Sequence, residues 1–210
     1  MFRFDLHIHS KYSYDCTSQI EEIIKYAKKR GLSGIAITDH DTMEGSLKAK
    51  KMEKELKIIM GMEISSDKGH IIALGIEEPI KARKVNEIVE EVHERGGICV
   101  VPHPFYKLHH GMGEIPKGVD AIETFNSRFL IGINNIRAKK VAEELKIAQT
   151  GGSDAHSPNC VGFGFTISPS EDVIEEIRKS RTKSGGERTP LLSYAKASVT
   201  NMKKRLRLMV

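Results

Sequence analysis

The feature that most constrains this chain is where its histidines and acids fall. Short apolar runs alternate with amphipathic stretches, and one run after another ends in His, Asp or Glu. Phe4 to Ile8, Gly34 to Thr38, Lys57 to Ile64, His70 to Gly75, Ile98 to Val101, Val119 to Phe125 and Ile147 to Thr150 read as strands. Ile20 to Arg30, Met43 to Leu56, Ala82 to Arg95, Ile131 to Leu145 and Glu171 to Arg181 read as helices. Gly31 stops the first helix and Gly96-Gly97 the third, in the position where a left-handed residue ends a helix. Alternation of this kind predicts an α/β fold of parallel strands covered by helices. So many strand–helix units in 210 residues fit a compact, incomplete β/α barrel better than a flat open sheet. No strand is followed by a glycine-rich phosphate loop, and no internal repeat is present.

The whole-chain charge of +5 hides an asymmetry. From Arg178 to Val210 there are ten Lys and Arg against one acid, Glu187, so the body carries −4 and the tail +9. Residues 1–181 are expected to form the barrel domain, and 182–210 a basic linker followed by a helix. Lys183 to Arg188 reads as that linker, and Thr189-Pro190 as a helix start. Leu192, Ala195, Val199, Met202, Leu206 and Met209 form an apolar stripe at helical spacing. Such a stripe docks on the body or on a second subunit. Lys203, Lys204, Arg205 and Arg207 offer the alternative of contact with nucleic acid or another anionic surface. Cys16, Cys99 and Cys160 are scattered and odd in number, which predicts reduced thiols in a cytoplasmic protein. No apolar run is long enough to span a membrane, and no secretory signal opens the chain.

His7 and His9 alternate on the first strand, so both imidazoles face one side. The next strand ends in Thr38-Asp39-His40-Asp41, the third in Glu63, and His70 opens the fourth. His103 follows the fifth, Glu123 and Asn126 close the sixth, and Asp154 and His156 follow the seventh. Each cluster alone has a structural explanation: a cap, a core histidine, a turn. Together, on the strand ends of a barrel that meet at one rim, they make a metal site by ligand chemistry. His93, on a helix, and His109 and His110, in a loop that borders the expected cleft, stand outside the pattern.

The segments DLHIHS (5–10), AITDHDT (36–42), VPHP (101–104) and GGSDAH (151–156), with GMEIS (61–65) and HIIALGI (70–76), resemble the PHP family, the polymerase and histidinol phosphatase domains. The resemblance spans roughly residues 1 to 180. It implies a distorted seven-stranded (β/α)7 TIM-like barrel and three divalent metal ions, with manganese, zinc or iron all suited to the ligands. Carried over by position, the ligands are His7, His9, Asp15, His40, Glu63, His70, His103, Asp154 and His156. Many relatives place His where Asp15 stands. Glu63 is the expected bridging carboxylate. Asp39 and Glu123 are expected to orient imidazoles by accepting their second N–H. Arg128 is the candidate for gripping phosphate, against its alternative as an ordinary surface arginine.

Three divalent ions against Asp15, Glu63 and Asp154 leave a positive surplus that suits a phosphate ester. A metal-bound hydroxide would attack phosphorus in line, with no covalent phosphoenzyme. The expected activity is therefore that of a metal-dependent phosphoesterase on nucleotides or nucleic-acid ends. The chain is similar to small stand-alone members resembling the nucleoside 3′,5′-bisphosphate phosphatase and RNA 5′-end exonuclease group. One departure is that the interval between His70 and His103 holds a single helix where close relatives insert a helical cap. Histidinol phosphate hydrolysis, a nucleic-acid-binding module with structural metals, and an amidohydrolase on a similar barrel are the competing readings.

Overall fold

The computed structural model describes residues 1–107, 110–129 and 131–195. Its elements run β1 (Phe2–Ile8), α1 (Ile20–Lys29), β2 (Gly34–Ile37), α2 (Glu44–Met52), β3 (Lys57–Ile59), β4 (Gly61–Ser65) and β5 (His70–Leu74). They continue with α3 (Val85–Glu94), β6 (Ile98–Val101), β7 (Ala121–Asn126), α4 (Ile133–Leu145), β8 (Ala148–Gly152), β9 (Gly164–Ser168), α5 (Val173–Arg178) and β10 (Lys183–Gly186).

The expected helices form where apolar residues recur at helical spacing. α1 buries Ile20, Ile23, Ile24 and Ala27, and α3 buries Val85, Ile88, Val89 and Val92. Glu21 and Glu22 open α1 and Lys28 and Lys29 close it, each sign on the favourable end of the helix dipole. Gly31 takes φ +63° and the Leu32 N–H reaches back to the Ala27 carbonyl, which ends the helix as its sequence predicts.

The strands depart from expectation in number and direction. The described residues form two five-stranded sheets, ordered β10-β9-β1-β2-β3 and β4-β5-β6-β7-β8. Among these residues no hydrogen-bonded ladder closes the sheets into a seven-stranded barrel. The pairs β1–β2, β2–β3, β6–β7 and β7–β8 are parallel, whereas β1–β9, β9–β10, β4–β5 and β5–β6 are antiparallel. The run Lys57 to Ile64 breaks at Met60: β3 joins the first sheet and β4 the second. The expected linker at Lys183 to Arg188 is in fact largely β10, paired along β9.

The sheets nevertheless share an interior. Phe4 and Leu6 of β1, Ala36 of β2, Ile59 of β3, Ile72 and Leu74 of β5, Ile98 and Val100 of β6, Ala121 of β7 and Ala148 of β8 form one apolar cluster, closed by Val173 and Ile177 of α5. Two isolated bridges join the sheets at one end of this core, Ile8 with Ala155 and His40 with Glu63. Both bridges lie among the predicted ligands. Of the expected C-terminal helix, Leu192 and Ala195 belong to the described residues; Val199, Met202, Leu206, Met209 and the basic group Lys203 to Arg207 lie outside them, as does His109. No described helix is long and apolar enough to cross a membrane.

Candidate metal centre

The seam between the sheets brings together all nine residues expected as ligands. Four groups of their ligand atoms lie close enough for each to hold one ion: His9, Asp15, His40 and His156; His7, His9 and Glu63; His7, His103 and Asp154; His40, Glu63 and His70. Every member is buried. Glu63 is the hub. Its Oε2 stands 3.4 Å from His7 Nε2, 3.2 Å from His9 Nε2 and 3.3 Å from His40 Nδ1, and its Oε1 stands 3.0 Å from His70 Nδ1 and 3.3 Å from His103 Nε2.

These distances test whether divalent ions suit the site. Ligand atoms ~2.1 Å from a tetrahedral ion stand roughly 3.4 Å from one another, close to the spacings around Glu63. The hydrogen bonding points the same way. Both carboxylate oxygens of Glu63, His40 Nδ1 and His70 Nδ1 are buried without a well-formed hydrogen bond. His7 Nε2 and His9 Nε2 face each other at 3.2 Å, so at least one presents a lone pair to the other. The four buried carboxylates Asp15, Glu63, Glu123 and Asp154 cannot neutralise six imidazolium ions and Arg128 together, and buried donors and acceptors left unmet are destabilising. Cations among neutral imidazoles remove both difficulties. His9 fits this state: burial, then the neighbouring His156, push its pKa down to about 3, so the ring is neutral. Burial alone would raise the Glu63 carboxyl, but the rings of His70, His40 and His7 outweigh it and hold it well below the usual range.

The surrounding shell is built from backbone and side chains of both sheets. Glu123 accepts a hydrogen bond from His7 Nδ1 at 3.0 Å, which turns His7 Nε2 toward the cluster. Its other oxygen accepts from the His103 backbone N–H and from Asn126 Nδ2, both at 2.9 Å. Asn126 Nδ2 also reaches Asp154 Oδ2 at 3.3 Å. Asp39 departs from expectation. Its carboxylate accepts the Ser10 N–H at 2.5 Å and the Ser10 hydroxyl at 2.6 Å, and bonds no imidazole N–H among the described residues. Neighbouring residues of an extended segment point to opposite sides, so His40 enters the site while Asp39 turns toward the loop after β1. Asp39 thus positions that loop.

Asp5, which sequence reasoning does not single out, does the same from the other side. It accepts N–H bonds from Ser153 at 2.9 Å, Gly162 at 2.7 Å and His7 at 3.4 Å, although burial pushes its pKa up to about 6. The signal for it is its place inside DLHIHS, one alternation before His7 on the same face of β1. Strain also marks the site: His103 and Asp154 take φ of +30° and +49°, where side chains other than glycine are uncommon.

Arg128 lies at the edge of the cluster with its side chain 16% exposed. Its Nη1 donates to Asp154 Oδ1 at 3.0 Å and stands 3.1 Å from His156 Nδ1. The site opens beside His70 into a cleft of about 370 Å³ lined by Tyr14, Ser65, Ser66, Lys68, His110 and neighbours. Tyr14 stacks on His40 with ring centroids 4.8 Å apart. His110 borders this cleft, as expected, with its ring 5.0 Å from His70. His93 is remote, its Nε2 paired with Asp120 Oδ2 at 2.8 Å.

The fold and the clustered His, Asp and Glu side chains define a metal-dependent hydrolase. Residues 5–95 match the model of the PHP domain and residues 132–182 that of the PHP-associated region. The chain belongs to the PHP family. It is 38% identical over 157 residues to the uncharacterized protein MJ1587 of Methanocaldococcus jannaschii, covering 67% of this chain and 92% of that one. It is 33% identical over 99 residues to a phosphoribosyl 1,2-cyclic phosphate 1,2-diphosphodiesterase of Eggerthella lenta, covering 42% of this chain and 37% of that enzyme. Its fold is similar to that of a two-domain protein from Bacteroides vulgatus described as containing a predicted PHP-like metal-dependent phosphoesterase, with a TM-score of 0.74, 18% identity and coverage of 89% and 65%.

Proposed function

We propose that this protein is a metal-dependent phosphoesterase that hydrolyses phosphate esters of nucleotides or nucleic-acid ends. The observation that carries the reading is the Glu63 carboxylate within 3.0–3.4 Å of five imidazoles, in a cluster completed by Asp15, Asp154 and His156. His7, His9, Asp15, His40, Glu63, His70, His103, Asp154 and His156 would hold three ions, with manganese, zinc or iron all compatible with the donor set. Such ions, when bound, lower the pKa of water and neutralise charge on phosphate oxygens. The chain's own residues set the rest. Glu123 keeps the His7 proton on Nδ1, away from the cluster. Asn126 steadies Glu123 and Asp154 together. Arg128 spends only Nη1 on Asp154 and His156, so its remaining N–H donors suit the oxygens of a phosphoryl group.

The Eggerthella relative, whose name describes a phosphoribosyl cyclic phosphate as substrate, supports a phosphodiester on a ribose unit, the part that nucleotides share with it. Three buried cysteines outside any disulfide, Cys16, Cys99 and Cys160, support a reducing, cytoplasmic setting. The test is phosphate release from p-nitrophenyl phosphate, its bis ester, mononucleotides, ribose cyclic phosphates, short oligonucleotides and histidinol phosphate, after loading with manganese, zinc or iron. The double variant His40→Ala/Asp154→Ala is expected to abolish turnover. Turnover that survives it would move the reaction elsewhere, and histidinol phosphate as the best substrate would replace the nucleotide reading.

A further inference from the structure

A second cavity, of about 570 Å³, lies away from the metal centre. Arg3, Lys29 and Arg30 line it together with the rings of Tyr26, Phe163 and Phe165, and Gly162, Gly186 and Glu187 complete its wall. Arg3 sits four residues before His7 on β1, which at strand spacing is roughly 13 Å from the first ligand. The cavity is therefore built on the same strand as the metal centre but at its opposite end.

Its composition is unusual for a merely structural dent. Among the described residues, none of the three cations has a carboxylate within ion-pair distance. Glu187, the only acid in the wall, leaves a surplus of positive charge. Arg30 is held by stacking rather than by counter-charge: its guanidinium carbon lies 3.7 Å from the centre of the Phe163 ring. Its Nη2 donates to the Asn159 carbonyl at 3.3 Å, whereas its Nε is buried without a hydrogen-bond partner. An unmet buried donor is destabilising, and an acceptor entering the cavity would relieve it after a small side-chain shift. Arg3 has a structural role through one nitrogen, Nη2, which donates to the Arg30 and Gly31 carbonyls at the end of α1. Its other donors are not committed there.

Gly162 and Gly186 shape the wall, at φ of +78° and +135° and in close approach to their neighbours. A Cβ on Gly162 would come within 2.8 Å of Arg30 Cδ, and one on Gly186 within 3.0 Å of Phe125 Cε1 and closer still to the Phe163 carbonyl. Tyr26 and Phe165 are anchored on the buried core, so their exposed parts are pre-organised. The wall also leads toward the metal centre. Beyond Gly186 and Glu187 the chain reaches Thr189, whose N–H donates to the Ser127 carbonyl, next to Arg128.

The geometry points to a nucleotide-binding cavity, with a phosphate on Arg3, Lys29 and Arg30 and a base against the aromatic rings. Cations without a carboxylate partner among the described residues suit phosphate. Each already lies over one ring, Arg3 over Phe165 at 5.5 Å, Lys29 over Tyr26 at 6.0 Å and Arg30 over Phe163 at 3.7 Å, so a planar base would stack on the guanidinium planes and pack against the ring edges. The cavity does not depend on the phosphoesterase reading, because its residues are not those of the metal cluster. The ligand is a nucleotide, either free or as one unit of a single strand that extends along Glu187 to Thr189 from the metal rim.

The test is binding of AMP and of a short oligoadenylate to the full-length chain in EDTA, where turnover is blocked. Manganese-dependent hydrolysis of p-nitrophenyl phosphate is measured in parallel and reads the metal centre separately. The variants are Lys29→Gln/Arg30→Gln and Phe163→Leu. Each is expected to weaken binding at least tenfold and to leave p-nitrophenyl phosphate hydrolysis unchanged. The double variant should also flatten the salt dependence of oligoadenylate binding, by about 0.7 in logarithmic slope for each phosphate that is no longer neutralised. Tight AMP binding assigns the site to free nucleotides, and oligoadenylate binding without AMP binding assigns it to a strand; both support the cavity. Should a variant unfold, photo-crosslinking of an oligonucleotide carrying 5-iodouridine to the wild-type chain gives a second reading, with adducts expected on Tyr26, Phe163 or Phe165. The proposal is overturned if neither probe binds, if the variants bind as wild type does, if inorganic phosphate competes as well as AMP, or if adducts map elsewhere.

Discussion

Glu63 and Glu123 are both buried carboxylates among histidines, yet they stand in different positions. Glu63 touches five imidazoles, whereas Glu123 touches one ring and two amide donors. Glu63→Ala is expected to lower metal loading, because it removes the only acid shared by two of the four clusters and leaves the other two intact. Glu123→Gln keeps the shape and removes the charge that fixes His7 by its Nδ1 proton. Outer partners of this kind are worth about 10–100-fold in metal affinity, and competition against a chromogenic chelator will read that range. Affinity equal to wild type would mean that Glu123 only braces the His103 loop. Eight of the nine clustered residues are legible in the sequence because each stands at or just beyond one end of an apolar run, where the backbone leaves little choice of direction; Asp15, seven residues past Ile8 in a polar loop, is legible only through the family resemblance. Asp39 escapes such a reading for the same reason in reverse. It adjoins His40 in sequence, but alternation sends it to Ser10, where Gly45 leaves room: a Cβ at that position would collide with the Asp39 carboxylate.

At the scale of elements, the glycines of GGSDAH explain how β8 comes so close to its neighbours. A Cβ on Gly151 would stand 2.5 Å from the Phe165 carbonyl, and one on Gly152 2.5 Å from His7 Cβ and 2.8 Å from Glu123 Oε1. Gly152→Ala is expected to destabilise by about 1–3 kcal/mol, the range for overpacking, and to lower metal affinity as well, because its collision is with the site. Urea unfolding with a metal titration separates the two effects; a stability change alone would show that β1 yields without moving His7. The turn after α2 supplies a pH-dependent case. Glu53 accepts the N–H groups of Lys54, Glu55 and Leu56; the Leu56 bond first, then that of Glu55 and the Lys28 ammonium, hold its pKa down at about 2 against an ordinary 4.5. A carboxyl depressed by folding adds stability above its unfolded pKa and loses it as pH falls toward its folded one. The stability gap between wild type and Glu53→Gln should thus be full above pH 4.5 and close toward pH 2, measured by urea unfolding of metal-free protein. A gap that ignores pH would mean that the charge of Glu53 contributes nothing. β9 and β10 are harder to read because Gly164, Gly185 and Gly186 break the β pattern. Their pairing comes from packing: a Cβ on Gly185 would stand 3.0 Å from Ile167 Cδ1, so the glycine lets β10 lie close against β9.

For the molecule as a whole, the position of the cluster matters more than its composition. Within the first sheet's half of the chain, His7 lies on β1, His9 and Asp15 follow it, and His40 follows β2; from the second sheet, Glu63 lies on β4, His70 on β5, His103 follows β6, and Asp154 and His156 follow β8. Among the described residues no continuous ladder joins the sheets; at this end the Ile8–Ala155 and His40–Glu63 bridges do, together with the hydrogen bonds of Ser153 to Asp5 and of His7 to Glu123. Ions bound by ligands from both sides would therefore clamp the two halves, and their binding free energy would add to folding. A ligand that binds only the native state, present at about a thousand times its Kd, adds about 4 kcal/mol. The wild-type chain is expected to melt several degrees lower in EDTA and to recover with manganese, zinc or iron, whereas Glu63→Ala should show a smaller difference between the two conditions. Elemental analysis before and after chelation shows whether the ions have left. Should they leave without a change in melting temperature, they do not hold the sheets together, and the shared apolar core from Phe4 to Ile177 carries that task with the hydrogen bonds between the sheets.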